Sequence, residues 1–379
     1  MNQKIKYPGI VCGVSLVMMV VASRAFAYTW QGMELTPRVS VEQSYDDNIT
    51  FVKDSPLKDY LTNLSLGFDL KGETKMQKFS LGADVTREMF TRHSSFDNTA
   101  EAIKASYWQE LSKFDQITLK ESFSHAVEPR SFAEEFVRTS GLYSTYNNAF
   151  NTDYRHEIDP KLAWTVRYGN EFTDFSNKDI SRSMLNTIGT GADVSLDAVT
   201  LLKFNYDYSY RNFTPGSSAQ THEISSTVRR FLNKRLYLDL QAGGDFISAY
   251  DNGNYAEPMY RVALTQDIDE TTQTGISFEK RYATDAYTQD LFNRSVVAVN
   301  LVKDLTSRIT GLLTAFYGNG KYVIAHINEE FTGADAGLNI DLTKKVRLKL
   351  HYTYSRENSS ESTRDYDKNL YSLAIVIKF

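Results

Sequence analysis

Asn369-Leu370-Tyr371-Ser372-Leu373-Ala374-Ile375-Val376-Ile377-Lys378-Phe379 closes the chain, and its reading decides the fold. Tyr371, Leu373, Ile375, Ile377 and Phe379 recur at every second position, so an extended strand turns all five to one face and Ser372, Ala374 and Lys378 to the other. A soluble sheet seldom leaves such an apolar row at a terminus, because terminal strands fray and open edges invite aggregation. A closed barrel has no edge. Its last strand pairs with its first, lipid takes the apolar face, and the ladder satisfies every backbone polar group.

The opposite end has the form of a secretory signal peptide over residues 1–27. Lys4 and Lys6 give a positive start, Ile10 to Ala22 is an apolar run short for a bilayer span, and Ala25-Phe26-Ala27 has the form of a cleavage site. Cys12, the only cysteine, lies inside this run, which continues past it and so does not suit lipidation. The remaining chain, 28–379, therefore has no disulfide framework and no thiolate metal site. Without Lys4, Lys6 and Arg24 the formal charge moves from −5 to −8, which does not suit a nucleic-acid partner. Mean hydropathy is −0.40, and no later segment has the apolar length of a transmembrane helix. A membrane protein of this kind crosses with strands. The 24 Tyr and 22 Phe beside 3 Trp and 7 Pro agree, since strands favour aromatics, exclude proline and use amphipathic rings at the interfaces.

Alternation recurs throughout. Leu64, Leu66, Phe68 and Leu70 alternate with Ser65, Gly67, Asp69 and Lys71; Gly72 to Lys75 turn the chain; Phe79, Leu81, Ala83 and Val85 then alternate with Ser80, Gly82, Asp84 and Thr86. The strongest case runs from Thr200 to Phe213, where Leu202, Phe204, Tyr206, Tyr208 and Tyr210 oppose Lys203, Asn205, Asp207, Ser209 and Arg211. Few-residue turns alternate with longer polar connections, among them Asp46 to Asp59, Ala126 to Gly141, Ser176 to Arg182, Thr214 to Gln220, Ser248 to Asn254 and Glu357 to Arg364. This predicts an all-β, transmembrane, antiparallel up-and-down β-barrel of about 18 strands, with about 16 as the alternative, short periplasmic turns, longer outer loops and both termini periplasmic. Registers over Thr99 to Trp108 and Leu291 to Val302 stay open, because apolar residues occupy both faces. The soluble alternative is a β-sandwich or repeat protein, which strands this long and numerous exceed.

The residues point to no cofactor. There is no G-x-S-x-G, H-E-x-x-H or P-loop, Gly189-Thr190-Gly191 lacks a dinucleotide context, and His93, His125, His156, His222, His326 and His351 share no metal-ligand spacing. Asp46, Asp47, His125 and Ser131 could be assembled into a rim hydrolase, though their spacing does not demand it. Asp46-Asp47-Asn48 suits a turn better than a divalent-ion site.

A barrel of this size encloses water, so inward residues carry selectivity. The alternation puts Arg38, Arg155, Arg167, Lys203, Arg211, Arg229, Arg235, Arg281, Arg347 and Lys349 inside. Facing them are Glu42, Asp69, Asp84, Asp153, Glu171, Asp207, Asp239, Asp245, Glu279, Asp335 and Asp341. Such a wall is either a solute track or a set of charge ladders that hold register. In Ala126 to Gly141, the stretch Phe132 to Arg138 has apolar residues at helical spacing between Glu134, Glu135 and Arg138, which suits an inward constriction or a surface cap.

The first strand running into Tyr45-Asp46-Asp47-Asn48-Ile49, after a signal peptide and before a barrel of this length, resembles the β-barrel porin 2 group of bacterial outer-membrane proteins. The terminal aromatic row likewise resembles the signal that the barrel insertion machinery reads on a final strand. Members of the group often accompany exopolysaccharide synthesis and export loci. The resemblance therefore implies an outer-membrane location, a role in handling extracellular polysaccharide and export components as partners; it carries over no functional residue. The leading expectation is a porin-like channel that diffuses or exports a hydrophilic solute. The rival is an occluded barrel acting as an adhesin or assembly partner, and the weakest is the rim hydrolase.

Overall fold

The computed structural model describes residues 32–127, 143–249, 253–284 and 289–379. The expected signal peptide and most of the Ala126 to Gly141 connection lie outside these residues, as do Ser131, Phe132, Glu134, Glu135 and Arg138. In chain order the strands are β1 Met33–Asp46, β2 Asp59–Glu73, β3 Gln77–Phe90, β4 Asn98–Glu110, β5 Asp115–Ala126 and β6 Thr145–Asp159. Next come β7 Leu162–Phe175, β8 Arg182–Ser195, β9 Thr200–Thr214, β10 Ser218–Asn233, β11 Leu236–Ser248 and β12 Asn254–Asp267. The last six are β13 Thr272–Thr284, β14 Leu291–Thr306, β15 Ile309–Tyr322, β16 Asn328–Asp341, β17 Val346–Ser359 and β18 Tyr366–Lys378.

Each strand pairs antiparallel with its sequence neighbour, and β18 pairs with β1, so the eighteen strands form one closed barrel. The terminal row lies against the first strand, Ile375 opposite Val41 and Ile377 opposite Val39. Side chains beyond the ladder reinforce the seam: Asn369 N donates to Asp47 Oδ1 at 2.7 Å, and Lys368 Nζ meets Asp46 Oδ2 at 2.8 Å. Asn48 N donates to Asp46 Oδ1 at 2.8 Å, so the Asp46-Asp47-Asn48 run closes a turn and the seam together.

The period of two places an aliphatic band on the outside. Leu64, Leu66, Val85, Ile188, Phe204, Ile224, Val262, Ile276, Val299, Leu313, Leu350 and Ile375 all project outward and exposed. In water this surface would be costly, whereas in a bilayer it is the matching solvent. Toward the outer ends the band gives way to Tyr60, Tyr146, Tyr317 and Tyr371, whose rings suit the headgroup zone, while Tyr206 and Tyr260 sit within the band. The one outward carboxylate near mid-strand in β5, Glu121, is hydrogen-bonded to Asn148 of β6.

The strands run farther than the sequence pattern reached. The connection expected over Thr214 to Gln220 is only residues 215–217, because β9 and β10 continue past the apolar alternation on polar residues. Both open registers resolve by pairing. In β4, Ile103 faces lipid with Ala83 and Phe123, which leaves Ala102, Lys104, Ser106 and Trp108 inside. In β14, Val297 and Val299 face out opposite Tyr317 and Ala315, so Arg294 and Val296 face in.

Candidate functional site: the inner wall

All the strand residues that alternation assigned to the interior sit on the inner face in this register; Arg235 does not, because it occupies the β10–β11 turn. Most are tied to one another. Arg38 on β1 reaches across β2 to Asp84 on β3, with Nε to Oδ1 at 2.9 Å and Nη2 to Oδ2 at 2.5 Å, and also engages Asp69. Arg167 on β7 reaches across β8 to Asp207 on β9, its Nη2 donating to both oxygens at 2.9 Å while Nη1 donates to Asn205 Oδ1 at 2.8 Å.

Both clamps span a strand, and each passes over a glycine. Gly67 lies between Arg38 and Asp84 in register, and Gly189 lies between Arg167 and Asp207. A Cβ on either glycine would fall on the aspartate side chain. These glycines therefore serve close approach, which lets a guanidinium and a carboxylate two strands apart meet as a fork.

Shorter ties continue around the wall. Arg155 Nη1 meets Asp193 Oδ2 at 2.5 Å, and Lys203 approaches the same oxygen at 3.6 Å. Arg229 holds Asp239 through Nε at 2.7 Å and Nη2 at 2.8 Å, and Arg347 holds Asp341 at 2.6 and 3.1 Å. Arg211 donates to Ser183 Oγ at 3.0 Å and lies 3.5 Å from Glu171. Glu279 stands between Arg261 at 4.0 Å and Arg294 at 3.6 Å, Arg281 lies 3.8 Å from Glu223, and His351 Nε2 meets Asp335 at 2.8 Å. Asp193, Glu223, Arg261 and Arg294 were not singled out in the sequence; their partners, one to three strands away, identify them.

Several inward lysines differ. Lys104 on β4, Lys120 on β5 and Lys349 on β17 are exposed to the lumen and form no ion pair among the described residues. Among the described residues nothing covers their side chains.

The outer mouth is narrowed on one side by residues 47–58. Ile49 packs on the inward Leu61 and Phe90, while Phe51 joins the inward Phe292, Tyr322, Phe331 and Tyr366. Phe51 has φ 53°, a left-handed conformation that a bulky residue avoids, and it is held there by this burial and by Lys368 Nζ 3.8 Å from its ring centre. Arg364 is buried beside this cluster, with Nε 2.6 Å from Glu329 and Nη2 3.1 Å from Tyr322 Oη. Its guanidinium is desolvated, yet Tyr322, Glu329 and Glu357 outweigh that and raise its pKa, so it stays charged. Beyond the membrane, the Lys53 ammonium holds Asp365 at 2.8 Å; burial opposes ionisation of that carboxyl, and Lys53 with the Ser359 amide brings its pKa below the usual range.

The rim-hydrolase elements that lie among the described residues do not converge. His125 is on the outward face, stacked on Tyr146 at 4.2 Å, while Asp46 and Asp47 are engaged at the seam. Among the described residues no group of three His, Cys, Asp or Glu could hold a metal ion.

No protein-family model matches the chain, and no curated protein matches it in sequence. Solved structures do match. OccK2 (OpdF) from Pseudomonas aeruginosa is 9% identical with a TM-score of 0.52, over 92% of this chain and 97% of that one. The same protein in complex with glucuronate gives 10% and 0.51, over 92% and 98%. OccAB4 from Acinetobacter baumannii gives 9% and 0.51, over 92% and 99%. At this identity the likeness is one of fold, and that fold is a closed eighteen-stranded antiparallel barrel.

Proposed function

We propose that the protein is a passive outer-membrane channel for a hydrophilic solute. The observation that carries this reading is a polar inner wall whose side chains Lys104 and Lys120 at mid-strand, and Lys349 nearer the β16–β17 turn, remain exposed. Small barrels fill their interiors with side chains, whereas eighteen strands enclose a lumen too wide for that. The clamped charges keep the strands in register and leave a hydrated, near-neutral surface along which a polar solute loses little hydration. Residues 47–58, packed on the β14 to β3 side, act as a fixed constriction at the outer mouth. In the exopolysaccharide setting that the β-barrel porin 2 resemblance implies, the cargo is a polysaccharide or its fragments, delivered by periplasmic export components. The apolar final strand is what the insertion machinery reads.

Planar-bilayer recording tests this. Discrete ohmic steps from the purified barrel are expected. Their absence, both in the full barrel and in one lacking residues 50–57, would favour an occluded adhesin or assembly partner.

A further inference from the structure

We propose that Lys104 and Lys120 form a binding station for an anionic sugar on the β4–β6 wall; this rests on the channel reading and names the class of its cargo. Lys104 pairs in register with Ser122, and Lys120 with Ser106. The two lysines are thus diagonal neighbours on one face, with Cβ atoms roughly 7–8 Å apart by ladder geometry, a gap that one carboxylate or phosphate can bridge. They point into the lumen at mid-strand, and neither is claimed by a carboxylate within bonding distance among the described residues.

Their surroundings add donors without adding bulk. Gly82 and Asn151 are the partners on the outer sides of the pair, Gly82 opposite Lys104 and Asn151 opposite Lys120, and Ala102, Ala149 and Ser124 occupy nearby inward positions. The wall is therefore set back here, with the Ser106 and Ser122 hydroxyls and the Asn151 amide available beside the two ammonium groups. Of the nearest inward carboxylates, Asp69 and Asp84 are both engaged by Arg38, and Asp153, diagonal to Lys120 across the β5–β6 pair, forms no ion pair with it. The station keeps its positive charge, as the clamped wall does not.

An anionic group held by two ammoniums and a hydroxyl gains charge-assisted hydrogen bonds that a neutral sugar cannot make. Titration calorimetry on the detergent-purified full barrel, with glucuronate, glucose 1-phosphate and glucose as probes, decides the matter. Glucuronate and glucose 1-phosphate are expected to bind, with glucose at least roughly tenfold weaker. The double variant Lys104→Gln with Lys120→Gln should lose that difference, Lys104→Arg with Lys120→Arg should retain it, and Lys349→Gln should leave it unchanged. Equal binding of glucose, or undiminished binding of the anions by the double glutamine variant, would overturn the station. Because calorimetry needs no open pore, a silent bilayer removes the channel reading alone, while conductance steps without anion binding remove the station alone.

Discussion

The β7–β9 wall and the β4–β6 wall line the same lumen and treat charge in opposite ways. On the first, Arg167 and Asp207 meet as a fork over Gly189, so each cation has its anion and the wall presents no net field. On the second, Lys104 and Lys120 stand over small neighbours without ion partners among the described residues. The difference separates two uses of inward charge. A charge held by a partner two strands away reports on the barrel's stability, whereas a charge left in water is available to a solute. Guanidinium suits the first use through its rigid fork, and a flexible ammonium suits the second.

The comparison breaks most severely at the glycine. In Gly189→Val the new side chain starts where Asp207 Oδ1 lies and 3.2 Å from Arg167 Nη2, so the clamp must open and two charges must find new partners. A loss of about 2–4 kcal/mol is expected in denaturant unfolding followed by circular dichroism, against about 0.5 kcal/mol or less for Ala102→Val on the open wall. Equal losses on the two walls would remove the distinction. Arg167→Gln keeps the backbone and deletes only the fork. With Asp207 partly wetted, about 1–2 kcal/mol should go, less than for the glycine.

How the two walls were read from sequence also differs. The Thr200 to Phe213 strand alternates so cleanly that Lys203, Asp207 and Arg211 could be placed inside from their positions alone, and the strand count and the closing seam follow from the same alternation. Over Thr99 to Trp108, alanines at 100, 102 and 105 fit either face, which hid Lys104. In Leu119-Lys120-Glu121-Ser122 two adjacent charges compete for one inward position, and only pairing with β4 and β6 turns Lys120 in and Glu121 out. The clamps were illegible for another reason: Arg38 and Asp84 stand 46 residues apart, and no local pattern specifies a contact across an intervening strand. Lys104→Gln with Lys120→Gln sharpens the point. Since neither lysine has an ion partner among the described residues, unfolding free energy should stay within about 0.5 kcal/mol of the parent. A drop well beyond that would mean the lysines hold the wall together.

The smallest effect belongs to a charge on neither wall. In the β12–β13 turn, Thr271 donates to Asp269 Oδ1 through Oγ1 at 2.7 Å and through N at 2.8 Å. The hydroxyl and then the amide hold this carboxyl at about 2, below its ordinary 3.8. A depressed value in the folded state means that the turn's contribution is complete above the ordinary value and is lost as pH falls toward 2. Asp269→Asn has no proton to gain there. Unfolding midpoints of parent and variant, compared at about pH 5 and about pH 2.5, should therefore differ more at the higher pH and draw closer at the lower. Every other ionisable group is common to the two proteins and cancels from the difference. A gap that stayed constant with pH would show that the turn is held by backbone geometry and not by the ionised carboxylate.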